Sequence, residues 1–189
     1  MDELSARLAA DHRAAFADLV AAHQDLVFGV GLRVMRDRAA AEDVAQDTFV
    51  NAYRALGGYP PERIAALRLR PWLARIALNL ARNQLRRLRP LDADDGAAAE
   101  SAAPAAMEPL SLVQRREAKD MWARLLNGLP DRYRLAVALR HVEGLSYDEL
   151  AAATGRPLGS VKSDVHRGVA LLRAAYDAEQ RRVAQKEAV

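Results

Sequence analysis

An apolar side chain returns every three or four residues along most of this 189-residue chain. This spacing places the apolar side chains on one face of an α-helix. The first long run extends from Phe16 to Val34, the second extends from Ala40 to Leu56, and the third begins at Pro71, where a proline suits the first helical turn. No segment alternates apolar and polar residues as a half-buried strand does. The chain is therefore predicted to be all-α.

One stretch of the chain lacks this helical pattern. Residues 93–110 are mostly alanine, acidic residues, proline and glycine, so they contain almost no side chain able to build a core. Such a composition is typical of a flexible linker. We predict two small helical domains joined by this flexible acidic linker, the first over residues 1–92 and the second over 111–176. A polar tail follows at 177–189.

The second domain contains the pattern of a helix-turn-helix. Ser146 and Glu149 have the spacing of a capping box, which predicts the start of a short helix. Gly155 breaks the chain after that helix, and Ser160 is predicted to cap a second one. Two capped helices around a glycine-containing turn predict a DNA-binding helix-turn-helix. An ordinary helical hairpin with a solvated basic face is the alternative.

The helix predicted from Ser160 carries side chains suited to DNA. Free N–H groups at a helix amino terminus bind phosphate, and arginine or lysine near the start of such a helix reaches guanine edges in the major groove. The candidate DNA-binding residues of this domain are Arg156, Ser160, Lys162, Ser163 and Arg167.

A second polar stripe follows the helix predicted from Pro71. Its asparagines and arginines recur at spacings of three and four, which places them on one helix face. An asparagine amide can read a base edge, and arginines neutralise backbone phosphate. A solvated helix face is the alternative interpretation. The stripe consists of Asn79, Arg82, Asn83, Arg86 and Arg87, with Arg75 one turn before it.

Four aromatic residues lie within or just before this basic region: Phe49, Tyr53, Tyr59 and Trp72. Aromatic rings beside basic residues suit single-stranded bases, which need a stacking surface. For Phe49 and Trp72, packing in the core is the favoured interpretation. Tyr59 lies in a Gly/Pro-rich loop, and we keep it as a candidate DNA-binding residue.

Several classes of protein are excluded by what the chain lacks. It has no cysteine and only four histidines, which do not have the spacing of metal ligands, so no metal or other cofactor is expected. No nucleophile–base pair or glycine-rich phosphate loop is present, and the chain is not expected to be an enzyme. No apolar run approaches the 18 or so residues of a membrane span, and the first residues are acidic. We expect a cytoplasmic protein.

Five segments, taken in order, resemble the extracytoplasmic-function (ECF) group of bacterial RNA polymerase sigma factors, in the sigma-70 family. Each segment alone is a weak match, but the ordered set at the family's spacing is specific and covers about residues 14–175. The segments are Ala41–Arg54, Trp72–Asn79, Leu129–Arg134, Glu143–Ala151, and Gly159–Ser163 with His166 and Arg167.

The resemblance implies a transcription initiation factor whose partners are core RNA polymerase and promoter DNA, and it allows an anti-sigma factor as a third partner. In this family the helix matching Trp72–Arg87 reads the −10 element, and Asn79 matches the position that holds a base flipped out of the melted strand. The second domain reads the −35 element, and the linker threads toward the polymerase active centre. The residues that match the polymerase-binding surface are Asp43, Gln46, Asp47, Phe49 and Arg54.

The sequence departs from the family pattern at two places. Asp164 stands where the family usually has a basic residue, and Leu69 stands where it commonly has a phenylalanine. We include Asp164 in the −35 set, because an aspartate facing the groove would repel phosphate or accept a hydrogen bond from a cytosine amino group. Asp164→Arg would then increase DNA affinity. A solvated position paired with Arg167 or His166 is the alternative.

We conclude from the sequence that the chain is an initiation factor that binds core polymerase, recognises a promoter and helps to melt it. One alternative is a helix-turn-helix regulator that acts without the polymerase core, which would leave the motifs of the first domain unexplained. Another is an interaction module that sequesters another factor, which would leave the basic stripe from Trp72 to Arg89 without a purpose.

Overall fold

The computed structural model describes residues 3–88 and 121–187, and all regular secondary structure in these two ranges is helical. The all-α prediction is confirmed. The predicted linker, 93–110, lies outside the described residues. The helices are α1 (Glu3–Ala10), α2 (His12–Met35), α3 (Arg38–Gly57), α4 (Pro61–Ala65), α5 (Leu69–Leu88), α6 (residues 121–127), α7 (Asp131–His141), α8 (Tyr147–Thr154) and α9 (Leu158–Glu187).

Aspartate side chains cap the start of α2 and α3. The Asp11 carboxylate accepts hydrogen bonds from the N–H groups of Arg13 (2.9 Å) and Ala14 (3.1 Å) at the start of α2. Asp37 caps α3 in the same way, at 2.8 Å from the N–H of Ala40. Between α2 and α3, Arg36 adopts the left-handed conformation with φ of 58°, which turns the chain so that the two helices pack against each other.

Two helices begin earlier than the sequence predicts. Helix α5 starts at Leu69 rather than Pro71, because Leu69 is drawn into the core and the proline, which needs no donor, is tolerated in the first turn. Helix α9 starts at Leu158, and the carbonyl of Pro157 accepts the N–H of Val161 at 3.1 Å. Ser160 therefore lies inside the first turn of α9, and the prediction that it caps the helix is wrong.

Helix α2 is the one helix in the described ranges long and apolar enough, by length and composition, to cross a membrane, and an 18-residue window within it has a mean hydropathy of 1.2. The expectation from the sequence concerned uninterrupted apolar runs, and α2 is not one, because Asp18, His23 and Asp25 lie within it. The apolar residues of α2 have another explanation, since Leu19, Val27 and Val30 are buried against α3 and α5.

The two halves of the chain share one hydrophobic core. Helix α5 packs against α2 and α3 on one side and against α8 on the other. Leu139, Leu145 and Leu150 from the second half are buried in the same cluster as Leu73 and Leu78 from α5. The first and second halves of the chain are therefore in direct contact.

Polar contacts also join the two halves around Glu143. The Arg33 Nε lies 3.4 Å from the Glu143 carboxylate, and an Arg70 N–H donates to the Glu143 carbonyl at 2.9 Å. The carboxylate lies against the backbone of Gly29, where a Cβ atom would collide with it. A second ion pair, Arg36 with Asp131, spans the halves at 2.8 Å. Burial raises the pKa of Glu143, and Arg33 only partly offsets that rise.

Helix α9 approaches α7 closely because a glycine lies at their contact. A Cβ atom added to Gly168 would lie 2.5 Å from the Val137 side chain and 3.1 Å from the Tyr133 carbonyl oxygen. A carbonyl oxygen cannot swing away as a side-chain end can, so any larger residue must push the two helices apart.

We expect Gly168→Ala to lower the free energy of unfolding by about 1–3 kcal/mol, the usual cost of overpacking. Gly159→Ala, on the same helix, is the matched control, because a Cβ there meets no atom within 4 Å. It should be neutral or slightly stabilising, since alanine favours the helix. Chemical denaturation of both variants measures the difference, and equal stability of the two would contradict the packing described for α7 and α9.

Candidate nucleic-acid interface

Helix α5 presents its polar stripe to solvent because its apolar faces are occupied by packing. Leu73 and Ala77 are fully buried, whereas Asn79 is exposed. In the described structure no hydrogen bond to the Asn79 side chain is found, so its amide is available to a ligand. The other predicted residues of the stripe are also exposed: Arg75, Arg82, Asn83, Arg86 and Arg87. Arg86 donates a hydrogen bond to the Asn83 side-chain oxygen.

The aromatic residues near α5 are partly buried and pack against the core, as favoured for Phe49 and Trp72. Tyr59 also packs there, with its ring centroid 6.4 Å from that of Trp72. The guanidinium carbon of Arg63 lies 3.6 Å from the centroid of the Tyr59 ring. One face of Tyr59 is therefore covered by a cation. No sequence pattern indicated this position of Arg63.

A groove between α3 and α5 brings two predicted sets together. Asp43, Gln46 and Asp47 line it from α3, and Asn83 and Arg87 line it from α5. The candidate polymerase-binding residues therefore lie beside the candidate −10 residues. Phe49 contributes to the core instead of this groove, and Arg54 is exposed about two turns further along α3.

The predicted helix-turn-helix forms, and its first helix has the predicted cap. The Ser146 hydroxyl accepts the N–H of Glu149 at 3.2 Å, while the Glu149 carboxylate accepts the N–H of Ser146 at 2.8 Å, which confirms the capping box. Gly155 ends α8 with a positive φ of 67°. The turn brings Arg156 to the start of α9, where Lys162 and Arg167 are exposed. Ser160 and Ser163 are partly buried on the same helix.

Asp164 does not occupy the position predicted for it. Its side chain is 0% exposed, and its carboxylate binds Arg132 and Arg156 rather than Arg167 or His166. Neither a groove-facing nor a solvated position is therefore correct. The sequence contains the missed signal, since Val161, Asp164 and Val165 have the spacing of one buried helix face. Asp164 is fully buried, so an arginine in its place would disrupt this packing. Asp164→Arg is therefore not expected to increase DNA affinity.

In the described residues, no group of three or more histidine, aspartate or glutamate side chains is arranged to hold a metal ion. The exposed stripe of α5 instead combines arginines with the amides of Asn79 and Asn83, and the first turns of α9 expose Lys162 and Arg167. Such surfaces suit phosphate and base edges, the two parts of a nucleic acid that proteins contact.

Comparison with known proteins identifies a family match in each half of the chain. The family model for sigma-70 region 2 matches residues 19–90, and the model for sigma-70 region 4 matches residues 119–172. The RNA polymerase sigma factor CarQ of Myxococcus xanthus is 41% identical over 84% of this chain and 87% of its own length. The ECF RNA polymerase sigma factor SigW of Bacillus subtilis is 31% identical over 84% and 87%.

Two solved structures have a similar fold. The structure of CnrH in complex with the cytosolic domain of CnrY has a TM-score of 0.66 at 29% identity, over 93% of this chain and 96% of that chain. The sigma factor RpoE in complex with the anti-sigma factor NepR, from Bartonella quintana, has a TM-score of 0.65 at 27% identity, over 86% and 96%.

The two family models together match well over half of the chain, one in each half, in the order expected from the five sequence segments. Relatives named as ECF sigma factors align across both halves. The resemblance seen in the sequence is thus confirmed, and this chain belongs to the ECF group of the sigma-70 family of RNA polymerase sigma factors.

Proposed function

We propose that this chain binds core RNA polymerase, directs it to specific promoters and assists promoter melting. The observation that carries the proposal is the exposed Asn79 on α5, beside a groove that α5 forms with the acidic surface of α3. A polymerase-binding surface next to a base-reading surface would couple assembly of the enzyme to melting. The chain itself performs no covalent chemistry in this proposal, and it acts in the cytoplasm, where polymerase and promoter DNA are found.

We assign polymerase binding to the first half of the chain. The exposed side chains of Asp43, Gln46, Asp47 and Arg54 offer charges and an amide to the polymerase, while Phe49 supports them from within. The predicted role in −10 recognition belongs to α5. Its arginines would hold phosphates of the strand, and the amide of Asn79 would meet an unstacked base.

The second half would read the −35 element. Lys162 and Arg167 are exposed on α9, and Arg156 lies in the turn that precedes it. In a helix-turn-helix the second helix enters the major groove with its amino-terminal residues toward the bases. In this chain those amino-terminal residues lie in the first three turns of α9.

The closed arrangement of the two halves must open for both elements to be bound. The −10 and −35 elements lie about 25 base pairs apart, or roughly 85 Å along a duplex. A compact chain of this size has a radius of gyration of only about 16 Å. Residues 89–120 can span at most about 110 Å when extended, so the covalent connection permits the separation. We therefore propose that polymerase and promoter bind an opened form.

An anti-sigma protein is a further partner that we propose. The similar sigma factor RpoE was solved in complex with the anti-sigma factor NepR. A helix-turn-helix regulator that acts without polymerase core is not favoured, because the sigma-70 region 2 match in the first half would then have no role. Co-purification with core polymerase, followed by run-off transcription, distinguishes the two functions.

We expect Asn79→Ala to impair promoter opening more than promoter binding. Capturing a flipped-out base offsets a few kcal/mol of unstacking, and that gain exists only after melting. Assembly with core polymerase and closed-complex binding should stay near those of the wild type. The yield of open complex, measured by permanganate reactivity of unpaired thymines, should fall roughly tenfold, the effect of losing about 1.4 kcal/mol.

Asn127→Ala is the matched control, since Asn127 is an exposed asparagine on α6, outside both predicted DNA-binding surfaces. It should open promoters like the wild type. A template with a premelted −10 region should largely rescue Asn79→Ala. Normal open-complex yield from Asn79→Ala on duplex promoter would show that Asn79 does not capture a base.

A further inference from the structure

A buried carboxylate lies at the centre of the helix-turn-helix. Arg132 Nε donates to one oxygen of Asp164 at 2.8 Å, and Arg132 Nη2 lies 2.6 Å from the same oxygen. Arg156 Nη1 donates to the other oxygen. Each carboxylate oxygen therefore has its own guanidinium partner.

The three residues come from separate elements. Arg132 lies in the first turn of α7, Arg156 in the turn between α8 and α9, and Asp164 in the second turn of α9. The carboxylate thus connects the whole helix-turn-helix to the helix before it. Burial alone would raise the pKa of Asp164, but the hydrogen bonds from Arg132 and Arg156 outweigh it and lower that pKa, so the aspartate is ionised at neutral pH.

The exposure of this cluster is uneven. The Asp164 side chain is 0% exposed, whereas the Arg132 and Arg156 side chains are 54% and 34% exposed. Two guanidiniums and one carboxylate have a net charge of +1. Solvent, or a ligand, therefore meets the cations and not the anion.

The cluster borders the surface assigned to DNA. Ser160 lies four residues before Asp164 and Arg167 lies three residues after it, and residues at these spacings are neighbours on a helix surface. Ser160 and Arg167 lie on the strip of α9 next to the buried strip of Val161, Asp164 and Val165. The two arginines held by Asp164 therefore flank the strip of α9 that faces the major groove in the proposed function.

We propose that Asp164 is a positioning residue for −35 recognition, which does not touch DNA but holds Arg132 and Arg156 where both contact backbone phosphate. The proposal rests on the proposed function of the second half. It adds Arg132, which the sequence analysis did not assign to any site. It also explains how an acidic residue can occupy a position on α9 where the family usually has a basic residue.

The physical advantage is preorganisation. A free arginine side chain loses rotamer entropy when it binds, and fixing it beforehand removes part of that cost. Arginine is suited to this arrangement because its planar group can donate to a carboxylate with one edge and to a phosphate with another. Phosphate contacts of this kind set the register of the protein on the duplex.

The number of phosphate contacts is measured by the salt dependence of binding. Each contact contributes close to one unit to the slope of log affinity against log salt concentration. The probe is a promoter duplex selected by the reconstituted holoenzyme from a pool randomised at the −35 element. Closed-complex affinity is measured from about 50 to 200 mM salt.

Arg132→Ala and Arg156→Ala should each reduce the slope by about one unit. Asp164→Asn keeps the shape but removes the charge, and it should reduce the slope by one to two units. Placed in the Arg132→Ala/Arg156→Ala background, Asp164→Asn should have no further effect on affinity or slope, because it acts through those two side chains. Asp177→Asn, an exposed aspartate further along α9, is the charge-matched control and should leave the slope unchanged.

A purely structural role for Asp164 would overturn the proposal. In that case Asp164→Asn would weaken binding with an unchanged slope, or would weaken it equally in the doubly substituted background. An unchanged slope in Arg132→Ala, which leaves the Arg156 pair intact, would also overturn it, even if Asp164→Asn does not fold. A wild-type holoenzyme whose binding ignores the −35 sequence would instead contradict the proposed function itself.

Discussion

The burial of α5 on two sides is the interaction on which the rest of the structure depends. Small side chains make this possible: Ala74, Ala77 and Ala81 are fully buried, so that α2 and α3 approach from one side and α8 from the other. The only long strip of α5 left to solvent carries Asn79 and the arginines. Packing thereby decides which residues can reach a nucleic acid, and it ties the position of the helix-turn-helix to the same helix.

The contact between the halves combines apolar burial with charge complementarity. Arg33 and Arg36 of the first half pair with Glu143 and Asp131 of the second, respectively. Arg70 adds a hydrogen bond to the Glu143 carbonyl. Ion pairs that remain partly exposed add little stability individually, so the shared apolar core supplies most of the attachment. Opening the chain, as proposed for promoter binding, must therefore separate this shared apolar core as well as the ion pairs.

Local patterns predicted much of this fold, because helices and caps depend on neighbouring residues. The capping box at Ser146 and the turn at Gly155 are examples. The contact of α8 with α5 depends on residues from opposite halves of the chain, and no local period encodes it. Asp164 was wrongly predicted to face the groove or the solvent. Its spacing from Val161 matches one buried helix face, but its partner Arg132 lies 32 residues away, where no local pattern can indicate it. The individual roles of the DNA- and polymerase-binding residues remain predictions.

The claim that the closed chain must open to read a promoter is tested most directly by holding it closed. The chain has no cysteine, so Arg36→Cys and Asp131→Cys place two unique thiols at an ion pair that spans the halves. A short cleavable bis-maleimide would join them, with each single-cysteine variant as control. We expect the joined protein to fail to protect the −10 and −35 elements together in a polymerase footprint, and cleavage to restore protection. Protection of both elements by the uncleaved protein would contradict the account.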